Sequence, residues 1–392
     1  MKPMLLLVAL CLLAPAAEAC TIVVASDGDD TWVGNNEDWS NPFTKAWVVP
    51  PSEGEYGRIC FGFDAPFSYV QGGMNDQGLF CDANMVPETG WTADPQKSAL
   101  GDPVDRILAE CATVEEAVRF CGTHNIPLGR ARFPIADASG DAVILEWGRE
   151  GLGLVRKEGS YLISTNFVAS NYTPGTYPCD RYRIAETLLA SFSPITSDHV
   201  RAVLSATHSE GDVPTIYSDV YDLRRRVVHI YNFHDFEQGM TISLAEAIAA
   251  GRQSFDLPRL FPIVTHTARI FYNRRLKDSV RAMYEHAGGS EARDRCQRLR
   301  DRYRAELGFL VGEDELNHVG YALLGEEAFG AAVEIFRLNV EEHPDSWNAH
   351  DSLGEAYVRM GDEGRAAESY RRSLELNPYN RSAQKQLERL GE

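Results

Sequence analysis

The sequence has no hydrophobic run long enough to cross a bilayer. Its main apolar stretch, Met4 to Leu13, holds ten residues, whereas a spanning helix needs about 20, so no transmembrane segment is expected. There is no CxxC pair and no histidine-rich cluster, which argues against a metal site; no cofactor is expected either. Positive charge is scarce, with 38 Lys and Arg against 57 Asp and Glu, a formal net charge of −19. That balance sets aside nucleic acid and anionic membrane surfaces as expected partners, and it favours a neutral or cationic substrate.

What the chain does have begins at its first residues. Lys2, the short apolar run and the small-x-small triplet Ala17-Glu18-Ala19 read as a secretory signal, residues 1–19. Cleavage there makes Cys20 the first residue of an exported protein, periplasmic or secreted. A lipidation site is the rival reading, but Ala17 stands where a bulky aliphatic residue belongs. Cys60, Cys81, Cys111, Cys121, Cys179 and Cys296 complete the exported cysteines. In an oxidising compartment they have the number for up to three disulfides, with no connectivity readable.

From Cys20 to about residue 240 short strands alternate with turns. Thr21–Ser26 and Thr31–Gly34 flank the turn Asp27–Asp30 as a hairpin. Apolar residues at helical spacing predict a helix over Asp102–Cys121, and further helices over Asp180–Phe192 and Ser197–Ser205. Tyr217–Phe233 reads as the last hairpin. Residues 241–312 become helical and arginine-rich, a connector. Over 313–392 a period of 34 residues appears: Gly320, Ala332, Phe336 and Pro344 return as Gly354, Ala366, Tyr370 and Pro378. Small residues for close helix approach, aromatics between helices and a terminating proline define two tetratricopeptide repeats, with Arg381–Leu390 as a capping helix. Such repeats offer a groove for a protein or peptide partner.

An N-terminal cysteine carries two reactive groups. Its thiol attacks, and its α-amine, with an ordinary pKa of about 7.7–8.0, accepts the thiol proton without a separate histidine. Attack on an amide creates an oxyanion that calls for fixed donors.

The residues that follow carry a resemblance. Cys20-Thr21 with Gly34-Asn35-Asn36-Glu37-Asp38-Trp39 resembles the opening of the choloylglycine hydrolase and penicillin acylase family, and of the acyltransferases that act on 6-aminopenicillanic acid. Gly73-Met74-Asn75-Asp76-Gln77-Gly78-Leu79 followed by Asn84 is similar to its G-M-N-x-x-G-L segment. Thr165-Asn166 and Asp180-Arg181-Tyr182-Arg183 are similar to two later motifs. The resemblance runs in order from Cys20 to about Phe233. It implies an α+β fold, the αββα four-layer N-terminal nucleophile (Ntn) hydrolase sandwich, here followed by the all-α repeat domain.

It also implies Cys20 as nucleophile and base, Asp38 orienting the amine, Asn84 and Asn166 as oxyanion or positioning donors, and Arg181 stabilising the thiolate. The implied activity is hydrolysis of a small-molecule N-acyl amide, a linear non-peptide bond, through a thioester. Asn35 stands where the bile-salt branch has arginine, so the resemblance does not extend to bile-salt specificity. Acyl transfer to an amine, an N-terminal-cysteine dipeptidase and a peptide-binding repeat protein with a degenerate first domain are the alternatives. Aromatics Trp39, Phe43, Trp47, Phe61, Phe63 and Phe67 line an acyl pocket on one reading and pack the core on the other. Intact mass of the exported protein should match a chain starting at an unmodified Cys20; an added diacylglycerol would instead select the lipoprotein.

Overall fold

The computed structural model describes residues 20–27, 30–63, 69–261 and 264–391; the expected signal, residues 1–19, and Phe67 lie outside them. The described chain divides into two compact units, one ending at Phe261 and one beginning at Pro262.

The first unit is built on two antiparallel sheets. One has the order β11 (Tyr161–Ser164), β1 (Thr21–Asp27), β2 (Asp30–Asp38), β12 (Thr215–Asp222), β13 (Val227–Asn232) and β14 (Gly239–Ser243). The other runs β10 (Gly151–Arg156), β9 (Ala142–Gly148), β8 (Ala131–Ala136), β6 (Phe80–Asp82), β5 (Val70–Asn75), β4 (Arg58–Phe63), β3 (Thr44–Val49) and β15 (Gln253–Asp256), with the two-residue β7 (Asn84–Met85) also paired to β8.

Strand residues alternate between faces, and in β1 both faces are apolar and buried. Val23 and Ala25 pack with Leu189, Val200 and Leu204 of α3 (Asp180–Ser191) and α4 (Ser197–Thr207). On the other sheet, Cys81, Phe133 and Leu145 pack under α1 (Pro103–Glu110) and α2 (Val114–Thr123). Between the sheets, Phe61 stacks on Tyr217, and Tyr221 meets Phe61 and Phe80 edge-on. Helix, sheet, sheet and helix make the four-layer αββα sandwich that the resemblance implied.

Three expectations change. The helix expected over Asp102–Cys121 is two helices, α1 and α2. The Asn75 side-chain amide donates to the carbonyls of Leu108 (2.8 Å) and Cys111 (2.7 Å), holding open the end of α1, and Thr113 caps the next helix by accepting from Glu116 N–H. Tyr217–Phe233 is not the last hairpin. β14 adds to β13, and α5 (Leu244–Ala249) leads to β15, which joins β3 at the far edge of the other sheet, so the first unit runs to Phe261 rather than 240. These late strands are short and half-exposed, so they lack the apolar alternation that sequence reading relies on. Third, the seven described cysteines are free thiols; Cys60, Cys81, Cys111 and Cys121 serve as small apolar residues of one core.

The second unit opens with α6 (His266–Ala287) and α7 (Gly289–Arg302). Two helical hairpins follow, α8 (Glu313–Gly325) with α9 (Phe329–Glu342) and α10 (Trp347–Met360) with α11 (Glu363–Leu376), and then α12 (Arg381–Leu390). The 34-residue period has a direct physical cause. A Cβ on Gly320 would stand 2.5 Å from the Phe336 ring, and one on Gly354 would stand 2.8 Å from Tyr370. Each glycine admits the aromatic of its own hairpin. Gly320→Val should therefore lower the stability of this unit by about 1–3 kcal/mol, read as a lower urea midpoint with unchanged m-value.

Candidate active site

Hairpin geometry brings the site together. In the β1–β2 ladder Thr21 lies opposite Asn36, so continuing the register by one residue sets Cys20 opposite Glu37 and just short of Asp38. The Asp38 backbone N–H donates to the Cys20 thiol at 3.5 Å. The Asp38 carboxylate faces elsewhere: Thr215 Oγ1 donates to one oxygen, and Arg181 Nη1 donates to the other at 2.8 Å. Arg181 stands in the first turn of α3 and its Nη2 donates to Asn166 Oδ1 at 3.2 Å. β11 ends at Ser164 opposite Ile22, so Asn166 emerges at the Cys20 end of β1.

Asn166 Nδ2 in turn donates to the carbonyl of Met85 at 2.8 Å. The neighbouring Asn84 accepts from Ser164 Oγ, and its own Nδ2 is buried with no partner among the described residues. Cys20, Asp38, Arg181, Asn166 and Asn84 thus form one connected cluster. Asn36 of the same motif is structural, since its side chain donates to Leu204 O at 2.9 Å and accepts from Ser218.

The electrostatics are governed by desolvation. Burial, then the charges of Glu37 and Asp38, push the Cys20 thiol well above its ordinary value. Burial pushes Asp38 up to about 7, against the pull of Thr215 and Arg181. Arg181 is seated on Asp38 and Asn166 rather than on the sulfur.

Three acids had no role assigned from sequence, although Glu37 stood in the motif. Burial first, then Asp38 and Asp219, push Glu37 up to about 8. Neither of its oxygens has a partner at hydrogen-bonding geometry, although the Gln71 amide and the Cys20 thiol stand close enough to favour its ionised form. Asp82 is raised well above the carboxylate range by burial and then Glu37. Asp219, held by Tyr221 Oη at 2.7 Å, is raised by burial to about 7.

A cavity of about 550 Å³ adjoins this cluster, lined by Val70, Gln71, Ala83, Trp91, Leu100 and Phe133 among others. Gln71 is the residue bulged out of the β4–β5 ladder, a device that re-aims a side chain. Ala83 sits between Asp82 and Asn84. Of the aromatics considered for an acyl pocket, Phe43, Phe61 and Phe63 are buried and Trp47 packs on the core under α1 and α2; none lines this cavity. Among the described residues no group of three His, Cys, Asp or Glu side chains is arranged to hold a metal ion, and no helix is long and apolar enough to cross a membrane.

The family model described as acyl-coenzyme A:6-aminopenicillanic acid acyl-transferase matches residues 24–235. A variant of the conjugated bile acid hydrolase from Clostridium perfringens superposes with a TM-score of 0.50 at 14% identity, covering 60% of this chain and 96% of that one. Penicillin V acylase from Agrobacterium tumefaciens gives 0.47 at 18%, covering 58% and 86%. A tetratricopeptide domain from Arabidopsis gives 0.22 at 17%, covering 31% and 97%. At these identities the bile acid hydrolase likeness is one of fold. No curated protein matches the chain.

The buried acids set a pH dependence. Asp38, Glu37 and Asp219 have folded-state pKa values raised above their unfolded ones, so the native state binds more protons and its stability falls as pH rises from about 4 towards 8. Each group contributes a slope of at most about 1.4 kcal/mol per pH unit. Urea unfolding at pH 5 and pH 8 should show the lower midpoint at pH 8, and Asp219→Asn should shrink the difference.

Proposed function

The chain belongs to the acyl-coenzyme A:6-aminopenicillanic acid acyl-transferase family, and on that premise we propose that it cleaves a non-peptide linear amide with Cys20 as nucleophile, after export and cleavage behind Ala19. The observation that carries the reading is the continuous linkage Cys20–Asp38–Arg181–Asn166, joined through Met85 to Asn84. Residues spread from position 20 to position 181 converge on one thiol.

The freed α-amine of Cys20 takes the thiol proton as sulfur attacks the carbonyl carbon. A raised thiol fits this order of events, because the resting sulfur is protonated and gives up its proton only to a base beside it. The tetrahedral oxyanion needs donors that are already desolvated, and the unpartnered Asn84 Nδ2 is such a donor, with Asn166 fixed beside it. Collapse breaks the C–N bond. The α-ammonium returns the proton to the departing amine, and a thioester remains on Cys20. The apolar cavity next to Gln71 and Ala83 suits the acyl portion.

Water then releases the acid, or an amine takes the acyl group and the outcome is transfer. Only the acceptor differs between these two reactions, and the family name favours neither for this chain. Trp91 and Phe133 in the cavity favour an acyl group with a sizeable apolar body over a peptide, and hence an amidase over a dipeptidase.

Turnover of a panel of N-acyl amides by the mature protein tests the reading. Cys20→Ala should reduce kcat/KM by about 1,000-fold or more while the circular dichroism spectrum stays unchanged, and Asn166→Ala should reduce kcat by about 100-fold. Undiminished turnover in Cys20→Ala would sink the assignment.

A further inference from the structure

We propose that the buried Arg132–Glu146 pair is a positioning device that fixes the spacing of the Asn84 and Asn166 amides. The inference rests on the role given to those amides above. Both side chains are completely buried, and Arg132 Nη2 lies 3.1 Å from Glu146 Oε2. A buried ion pair of this kind is no better for stability than apolar residues of the same volume, so what the pair holds is the more telling fact.

It holds the loop that follows β11. Arg132 Nη1 donates to the carbonyl of Phe167, next to Asn166, and the guanidinium lies 5.7 Å from the centre of the Phe167 ring. Glu146 accepts from the N–H groups of Ala169 (3.1 Å) and Ser170 (2.7 Å). The stretch Phe167–Ser170 is thereby pinned at three backbone groups by two side chains from β8 and β9.

The same arginine acts on the other amide. Arg132 stands directly opposite Asn84 in the β7–β8 pairing. β7 is only two residues long, so its position depends on that pairing and on the Asn166-to-Met85 bond. One fully buried side chain therefore references both donors to the same strand. Neither Arg132 nor Glu146 belongs to the hydrogen-bonded path from the thiol, so they act through Asn84 and Asn166 and are not catalytic residues.

The test uses Arg132→Lys, which keeps the charge but loses the fork that serves Glu146 and Phe167 O together. A second variant, Arg132→Met with Glu146→Leu, removes the pair without stranding a charge. Three quantities are read on the mature enzyme: backbone amide exchange over residues 167–171, the alkylation rate of Cys20 by chloroacetamide, and kcat and KM per alkylatable thiol. Exchange should quicken roughly tenfold, and kcat should fall by about 30- to 100-fold, the scale of an ångström-sized misplacement. KM should stay within about threefold and the alkylation rate should not change.

Unchanged exchange overturns the proposal, and so does quickened exchange with unchanged kcat per thiol. A fall in thermal stability with normal kcat per thiol would mark a merely structural pair and overturns it too. Wild-type turnover in Cys20→Ala is a different failure, that of the amidase reading itself; exchange in the two pair variants then still decides whether the pair orders the loop.

Discussion

The contact on which the rest of the site depends is the one between Arg181 and Asp38. Asp38 is fully buried at the end of β2, and Arg181 is the cation that reaches its carboxylate. A buried carboxylate without such a partner stays neutral or disrupts the fold around it. Because the guanidinium is a planar fork, the same group that compensates Asp38 also sets the Asn166 amide. One interaction therefore joins the nucleophile strand, the first turn of α3 and the loop after β11, which no backbone hydrogen bonding connects.

Around that contact the field is negative. Glu37, Asp82 and Asp219 lie between the sheets, and their mutual repulsion adds to burial in raising their pKa values. The consequence for the thiol is direct. With Glu37 and Asp38 beside it and the arginine engaged elsewhere, a resting thiolate is disfavoured. A cysteine activated by a nearby cation needs the opposite surroundings. These surroundings suit a nucleophile whose base travels with it, because an α-amine that becomes an α-ammonium as the sulfur loses its proton introduces its positive charge where negative charge already stands.

The sequence carried much of this because the site is organised by local rules. Cys20 was conspicuous by position, and Asp38, Asn84, Asn166 and Arg181 by their order in motifs; the structure joins all five. The hairpin was legible too, and its register held more than was drawn from it. Asp27 paired with Asp30 places Glu37, not Asp38, across from Cys20, so Glu37 was recoverable from the turn alone. Asp82 and Asp219 were not. Each is an acid within a short strand, and only the packing of one sheet on the other tells that both are buried. The split of α1 from α2 was hidden for the same reason, since the amide that ends α1 belongs to Asn75, over thirty positions upstream. The repeats were the easiest element to read, because Gly320 with Phe336 and Gly354 with Tyr370 satisfy one steric rule twice within short hairpins.

Carboxyl groups that burial raises so far work against folding at neutral pH, and an apolar core would avoid that cost. The fold accepts them in one place only, at the mouth of β1 and β2, and surrounds them with unusually rigid supports: the two-residue β7 held by β8, the bulge at Gln71, and the loop Phe167–Ser170 held at three backbone groups. Strain and unpaired polar atoms concentrated at one site, within a framework that is otherwise well satisfied, are what an active centre requires. The unpartnered Asn84 amide follows the same logic. Left without a protein acceptor, it has no competing bond to break when an oxyanion forms beside Cys20, and a donor that need not reorganise is what makes such a hole effective.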